Sequence, residues 1–234
     1  MAKTVGLARN FTLEWIDAAA DCRIQGKNKD EAKEYLDTMI SAKIASPDNI
    51  RKTRTICLNT WYTNDPFYQE KAIAICRDVF KAQRLPLHWA LVMVYYPIFF
   101  DLCSIIGSQL SFRDTILLSQ VKSRIYDAWG ARATLYHSLD KNMQTLKDLG
   151  VIIPTGKTGE YSVIPHTVSD PRTVCLLASA ILKCTEKEYM TWEEITNHPT
   201  LFPFKIEHVS QADIPSCGYL TLERMGDDVV IRKK

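Results

Sequence analysis

The sequence has none of the short motifs by which many enzymes can be recognised. No GxxxxGK[ST], GxGxxG or GxSxG occurs. The five histidines, His88, His137, His166, His198 and His208, include no HExxH and no pair at metal-ligand spacing. Seven cysteines are present (Cys22, Cys57, Cys76, Cys103, Cys175, Cys184 and Cys217), but no CxxC. Their odd number and apolar neighbours fit buried free thiols in a reducing cytoplasm rather than disulfides or a zinc site. Asp65, Glu70 and Lys71 resemble a nuclease carboxylate–lysine set only in type; they fall at a predicted helix start and are read as chance. His88, next to Trp89 at an apolar helix start, reads as a core residue. No catalytic activity, cofactor or metal is expected.

A large charge of one sign is also missing. The formal net charge is +2, so any basic patch for nucleic acid has to be local. There is no repeat, low-complexity tract or linker. MAKTVGLARN leads directly into an amphipathic segment with Glu14 and Asp17, so no secretory leader is expected. The most membrane-like stretch is residues 87–110, LHWALVMVYYPIFFDLCSIIGSQL. Its apolar part, Trp89 to Phe100, is too short to span a bilayer and is punctuated by Pro97, with Asp101 following. A buried helix pair in a cytoplasmic protein is expected.

The chain is long enough for one large domain or two small ones. Its first half reads as successive helices: FTLEWIDAAADCRIQ, NKDEAKEYLDTMISAKI with Asp30 and Glu31 near its start, and SPDNIRKTRTICLNTWY with Ser46 as N-cap and Pro47 at N1. TNDPFYQEKAIAICRDVFKAQ repeats that start with Asp65 and Pro66. Two apolar helices follow, divided at Tyr96-Pro97. SQVKSRIYDAWG predicts a helix ending at Gly130. Asp170-Pro171 opens another buried helix, and Thr191 with Glu194 forms a capping box. FPFKIEHVS reads as a strand and YLTLERMGDDVVIRKK as a hairpin turning near Gly226-Asp227. The expected fold is mainly α with small β elements. An N-terminal helical domain covers 1–86, a second unit 87–165, and a C-terminal α+β segment 166–234.

The most informative stretch is residues 118–164. Leu135, Leu139, Met143, Leu146 and Leu149 recur at spacings of 4, 4, 3 and 3 and make one apolar helical stripe that Gly150 ends. Near the opposite face lie Ala133, His137, Asp140, Lys141, Gln144 and Asp148. The preceding helix carries Val121, Ile125 and Trp129 on its own stripe, and a short turn containing Gly130 joins the two. VII, PTGKTGE and YSVI then read as strand, turn and strand, with Lys157 at the tip.

The segments SQVKSRIYDAWG, YHSLDKNMQTLKDLGVI and PTGKTGEYSVI together resemble the winged helix-turn-helix superfamily over about a quarter of the chain. That resemblance implies a second helix in the major groove and a wing on the backbone or in the minor groove. It makes His137, Lys141 and Gln144 the base-reading residues and Tyr136 a flanking contact. Arg132 and Thr134 lie at a helix N-terminus that welcomes phosphate, and Lys122, Arg124 and Lys157 are further phosphate contacts. Over residues 113–158, seven basic side chains against four acidic ones leave +3. Asp140 and Asp148, on the face that would meet phosphate, disfavour tight binding. Arg51, Lys52 and Arg54 form a second basic cluster near a helix start, where cations oppose the helix dipole; a second phosphate contact and a solvated face are both open.

The order of elements, with SPDNIRKTRTICLNTW and YYPIFFDL ahead of the winged region, is also similar to the BrxA family of BREX bacteriophage-defence systems. The C-terminal hairpin and TLFPFKIEHV are not accounted for by that similarity. The implied function is a non-catalytic double-stranded DNA-binding protein, an accessory component of a phage-defence assembly with other proteins of that complex as partners. A transcriptional regulator is the alternative, as is an adaptor that uses its winged helix to hold a protein.

Overall fold

The computed structural model describes residues 6–63 and 66–234. Asp65, proposed as a cap and as one member of the Asp65–Glu70–Lys71 set, lies outside the described residues. The described residues are mainly helical with three small sheets.

The N-terminal helices are α1 (Leu13–Ile24), α2 (Lys29–Ser41), α3 (Pro47–Trp61) and α4 (Phe67–Cys76). Their starts are fixed by local chemistry. Thr12 accepts from Trp15 N, and Ser46 accepts from Asn49 N with Pro47 opening α3. Asn28 and Glu31 cap α2 reciprocally.

Two apolar helices follow, α5 (Leu85–Tyr95) and α6 (Pro97–Leu110). Pro97 has no N–H to continue α5, and the chain bends there by 116°. Among the described residues no single helix is long and apolar enough to cross a membrane. Trp89 of α5 meets Phe99, Phe202 and Phe204 edge-on and donates its indole N–H to Thr200 O at 3.0 Å. The only buried titratable side chain on α5, His88, lies 2.8 Å from Asp17 of α1.

The middle of the chain contains β1 (Ile116–Leu117), α7 (Leu118–Trp129), α8 (Ala133–Asp148), β2 (Ile152–Pro154) and β3 (Glu160–Val163). β3 lies between β1 and β2 and is antiparallel to both, with Ile116 opposite Tyr161 and Ile152 opposite Val163. The end of α8 is a Schellman turn: Val151 N reaches Leu146 O, Gly150 N reaches Lys147 O, and Gly150 takes φ +72°.

Beyond it lie β4 (His166–Val168), α9 (Pro171–Cys184), β5 (Tyr189–Thr191), α10 (Trp192–Thr196), β6 (Phe204–Ile206), β7 (Leu220–Met225) and β8 (Asp228–Lys233). Asp170 caps α9 and the Thr191–Glu194 box caps α10. β4 and β6 pair in parallel. β8 lies between β5 and β7, antiparallel to both, and the chain turns at Gly226-Asp227. One continuous hydrophobic core joins all these regions, and α5 packs against α1, α3, α4, α6 and α9.

Two substitutions test the packing. A Cβ on Gly107 would lie 1.9 Å from the Pro199 carbonyl oxygen, so Gly107→Ala must push α6 away from the 199–201 turn. We expect a loss of about 1–3 kcal/mol or more by urea unfolding. Leu146 is 0% exposed, and Leu146→Ala should cost about 2–5 kcal/mol. A change under about 0.5 kcal/mol at either site would mean the contact is not made.

Candidate nucleic-acid interface

Helices α7 and α8 are joined by Gly130, Ala131 and Arg132. Gly130 follows α7 with φ +77°, a conformation that a side chain would strain. Trp129, the last residue of α7, donates its indole N–H to Asp101 of α6 at 2.8 Å. The β2–β3 loop is fastened at its base. Glu160 accepts from Thr115 at 2.8 Å and from Thr155 at 3.1 Å, and these hydrogen bonds hold its carboxyl below the usual glutamate range. Leu118 N donates to Gly159 O at 2.8 Å, tying the start of α7 to the same loop.

The apolar stripe of α8 faces the core: Leu135, Leu139, Met143, Leu146 and Leu149 are buried. A second face is buried as well, and it is polar. Ser138 Oγ donates to Leu7 O at 2.6 Å, and Asn142 Nδ2 reaches the same oxygen at 3.2 Å. Phe11 N donates to Thr145 Oγ1 at 3.3 Å, and Asn10 Nδ2 to Asp148 Oδ2 at 2.9 Å. Residues 7–11 therefore lie along α8 and satisfy its polar side chains. Nothing in the sequence distinguishes Ser138, Asn142 and Thr145 from a solvated face, because their partners are backbone groups more than 130 residues away.

Solvent reaches mainly the first turns of α8. Thr134, Tyr136, His137 and Asp140 are exposed and Lys141 is half-buried. Arg132 takes the N-cap position, also half-buried. Tyr136 meets Tyr126 of α7 edge-on, with ring centroids 4.5 Å apart. Gln144 is further along and half-buried; it donates to Asp148 at 2.7 Å, so its amide is engaged inside the helix.

The cations near α8 differ in how free they are. Arg124 is exposed, and neither it nor Lys141 has an ion-pair partner among the described residues. Lys157 projects from the loop with 83% of its side chain exposed and only a 3.5 Å approach to Glu160. Lys122 is held by Asp140 at 2.8 Å, a hydrogen bond that raises the lysine pKa.

The α3 cluster is arranged differently. Arg51 and Lys52 both hold Asp48, at 2.7 and 2.5 Å, and lower its pKa. Arg54 is 14% exposed and grips Asp37 of α2. Arg51 and Arg54 border a groove against α2, whereas Asn49 and Thr53 of the same helix border a cleft with Lys141. The two basic clusters thus do not meet directly. Two cations that the sequence did not single out, Arg9 and Lys43, also line the Lys141 cleft. No periodicity or motif links them to α8.

Among the described residues, no group of three or more His, Cys, Asp or Glu is placed to hold a metal ion. The seven cysteines are free, five of them buried. Burial pushes the Cys57 and Cys76 thiols up to about 12. No family model, curated protein or solved structure matches the chain.

The polar seam gives a direct expectation. Asn142→Ala removes a fully buried donor, though Ser138 still reaches Leu7 O. Urea unfolding should show a loss of about 1–3 kcal/mol, and amide exchange should quicken over residues 7–11. Unchanged exchange there would show that the seam does not hold the segment.

Proposed function

We propose that the protein is a non-catalytic, cytoplasmic double-stranded DNA-binding protein whose contact element is a winged helix-turn-helix at residues 118–163. The observation that carries this reading is the run α7, glycine turn, α8 and the antiparallel β2–β3 pair, with the first turns of α8 open to solvent. His137 and Lys141 are the base-facing side chains, Tyr136 flanks them, and Thr134 lies at the helix N-terminus beside the phosphate. Arg124, Lys122, Lys157 and Arg132 supply phosphate contacts. Gln144 contributes less, since its amide is spent on Asp148. Arg51 and Lys52 are a secondary contact. Arg54, buried against Asp37, serves the fold first.

The biological setting in this proposal is a bacterial phage-defence assembly, with regulation of transcription as the alternative. Methyltransferase and ATPase genes beside its own gene would favour defence. Exposed Phe112 and Ile153, close to β1 and on β2, favour a second reading in which this region holds a protein partner.

Fluorescence anisotropy with a short duplex at several salt concentrations tests the proposal. Affinity should fall steeply with salt, because each neutralised phosphate releases counterions. Arg124→Ala or Lys157→Ala should weaken binding to all sequences alike and make the salt slope shallower by about one per contact. His137→Ala should change discrimination between sites by about 1–3 kcal/mol. Asp140→Asn should strengthen binding, since it removes a negative charge from the contact face and releases Lys122. No binding at low salt would sink the DNA reading and favour the protein adaptor. Binding lost only with Arg51 and Lys52 would move the DNA site to the N-terminal helices.

A further inference from the structure

The cleft beside Lys141 is lined by Arg9, Asn10, Trp15, Lys43, Ile44, Asn49, Thr53 and Lys141. It encloses about 470 Å³. Three cations line it from three separate parts of the chain: Arg9 ahead of α1, Lys43 after α2, and Lys141 on α8. Among the described residues no carboxylate lines it. The acids nearest in contact lie outside the lining and are engaged: Glu14 with Lys43, and Asp148 with Asn10 and Gln144.

Thr53 donates to Asn10 O, Asn10 to Asp148 and Lys43 to Glu14, while Lys141, Arg9 and Trp15 keep donors unspent among the described residues. Lys141 has no ion-pair partner among the described residues. Arg9 uses Nε on Asn49 at 2.9 Å and Nη1 on the Ala8 carbonyl at 2.9 Å; its guanidinium has five N–H groups in all. Trp15 borders the cleft at 4% exposure, and its indole N–H is buried with no acceptor. An unmet buried donor of this kind is costly and calls for an explanation. The first turns of α3 add the positive end of a helix dipole, with Asn49 and Thr53 at the wall.

Unpaired Lys141, the remaining N–H groups of Arg9, the unmet Trp15 indole N–H and a lining without acids form an environment for an oxyanion. A phosphate group, carrying about −1.5 to −2 charges and three strong acceptor oxygens, suits it better than a single carboxylate. We propose that the cleft between residues 9–10, the start of α3 and Lys141 is a phosphate-binding site. Such a phosphate has two sources, the backbone of bound DNA, in which case Lys141 holds phosphate rather than a base edge, or a free phosphorylated small molecule. The site stands on its own lining and does not require the DNA reading.

The experiment follows the Trp15 indole N–H resonance in the ¹⁵N-labelled full chain, identified among the five tryptophans by its loss in Trp15→Phe. Inorganic phosphate, AMP and a short duplex are titrated separately, with sodium chloride at matched ionic strength as the control. The resonance should shift saturably with phosphate or AMP and stay still with chloride. Arg9→Ala and Lys141→Ala should each weaken that binding by about tenfold, with circular dichroism checking that the variants fold. Displacement of phosphate by the duplex assigns the site to the DNA backbone. Binding of AMP that the duplex leaves untouched assigns it to a free ligand. Either result supports the site, and a phosphate shift without any duplex binding keeps it while removing the DNA reading. A resonance that ignores phosphate and AMP, or moves as far with chloride, overturns the proposal. So does a shift unchanged in the folded double variant. If the variants fail to fold, the wild-type comparison of phosphate with chloride decides alone.

Discussion

Burial of α5 on every side is the constraint from which the rest of the architecture follows. Nine of its eleven residues, Leu85 to Met93, are buried, and its sequence is apolar around the whole circumference. A helix of that kind has no face for water and must be enclosed by its neighbours. Five helices supply the enclosure, drawn from before and after it in the chain. Of the polar groups it brings inside, His88 Nε2 finds Asp17 while its Nδ1 has no partner among the described residues, and the Trp89 indole finds Thr200 O. These contacts tie α1 and the 199–201 turn to a common centre. The approach of α6 to that turn at Gly107 is close enough to exclude any side chain.

On α8 the same economy decides what is left for function. One face of the helix belongs to the core, and a second belongs to residues 7–11. The exposed strip is therefore narrow and lies toward the N-terminal end, where Thr134, Tyr136 and His137 sit. Tyr126 and Lys122 of α7 meet it at Tyr136 and Asp140, and Lys141 carries it to the cleft. The acids on α8 divide between two tasks. Asp140 restrains Lys122, and Asp148 organises Asn10 and Gln144.

Much of the helical layout was legible in the sequence because its signals are local. Ser46-Pro47, Asp170-Pro171 and the Thr191–Glu194 box each fix a helix start within one turn, and Gly130 and Gly150 fix two ends. The stripe from Leu135 to Leu149 is a periodicity that only a helix satisfies. What escaped depends on distant partners. β1, β4 and β5 are two or three residues long, too short to carry a pattern, and β4 is defined by its parallel pairing with β6. At the candidate site, His137 and Lys141 were legible as the polar side of a helix. Ser138, Asn142 and Thr145 occupy the same kind of position and are buried, which no spacing rule separates. Arg9 and Lys43 become part of the site only through the closure of the fold.

That closure has a kinetic side. The groups that satisfy the Leu7 carbonyl, on Ser138 and Asn142, follow it in the chain by 131 and 135 residues. The segment must stay unpaired while the intervening helices form. Contacts of such sequence separation come at the expense of a large loop entropy and belong to slow folding steps. Residues 7–11 are the element that waits, until α8 brings them Ser138, Asn142 and Thr145.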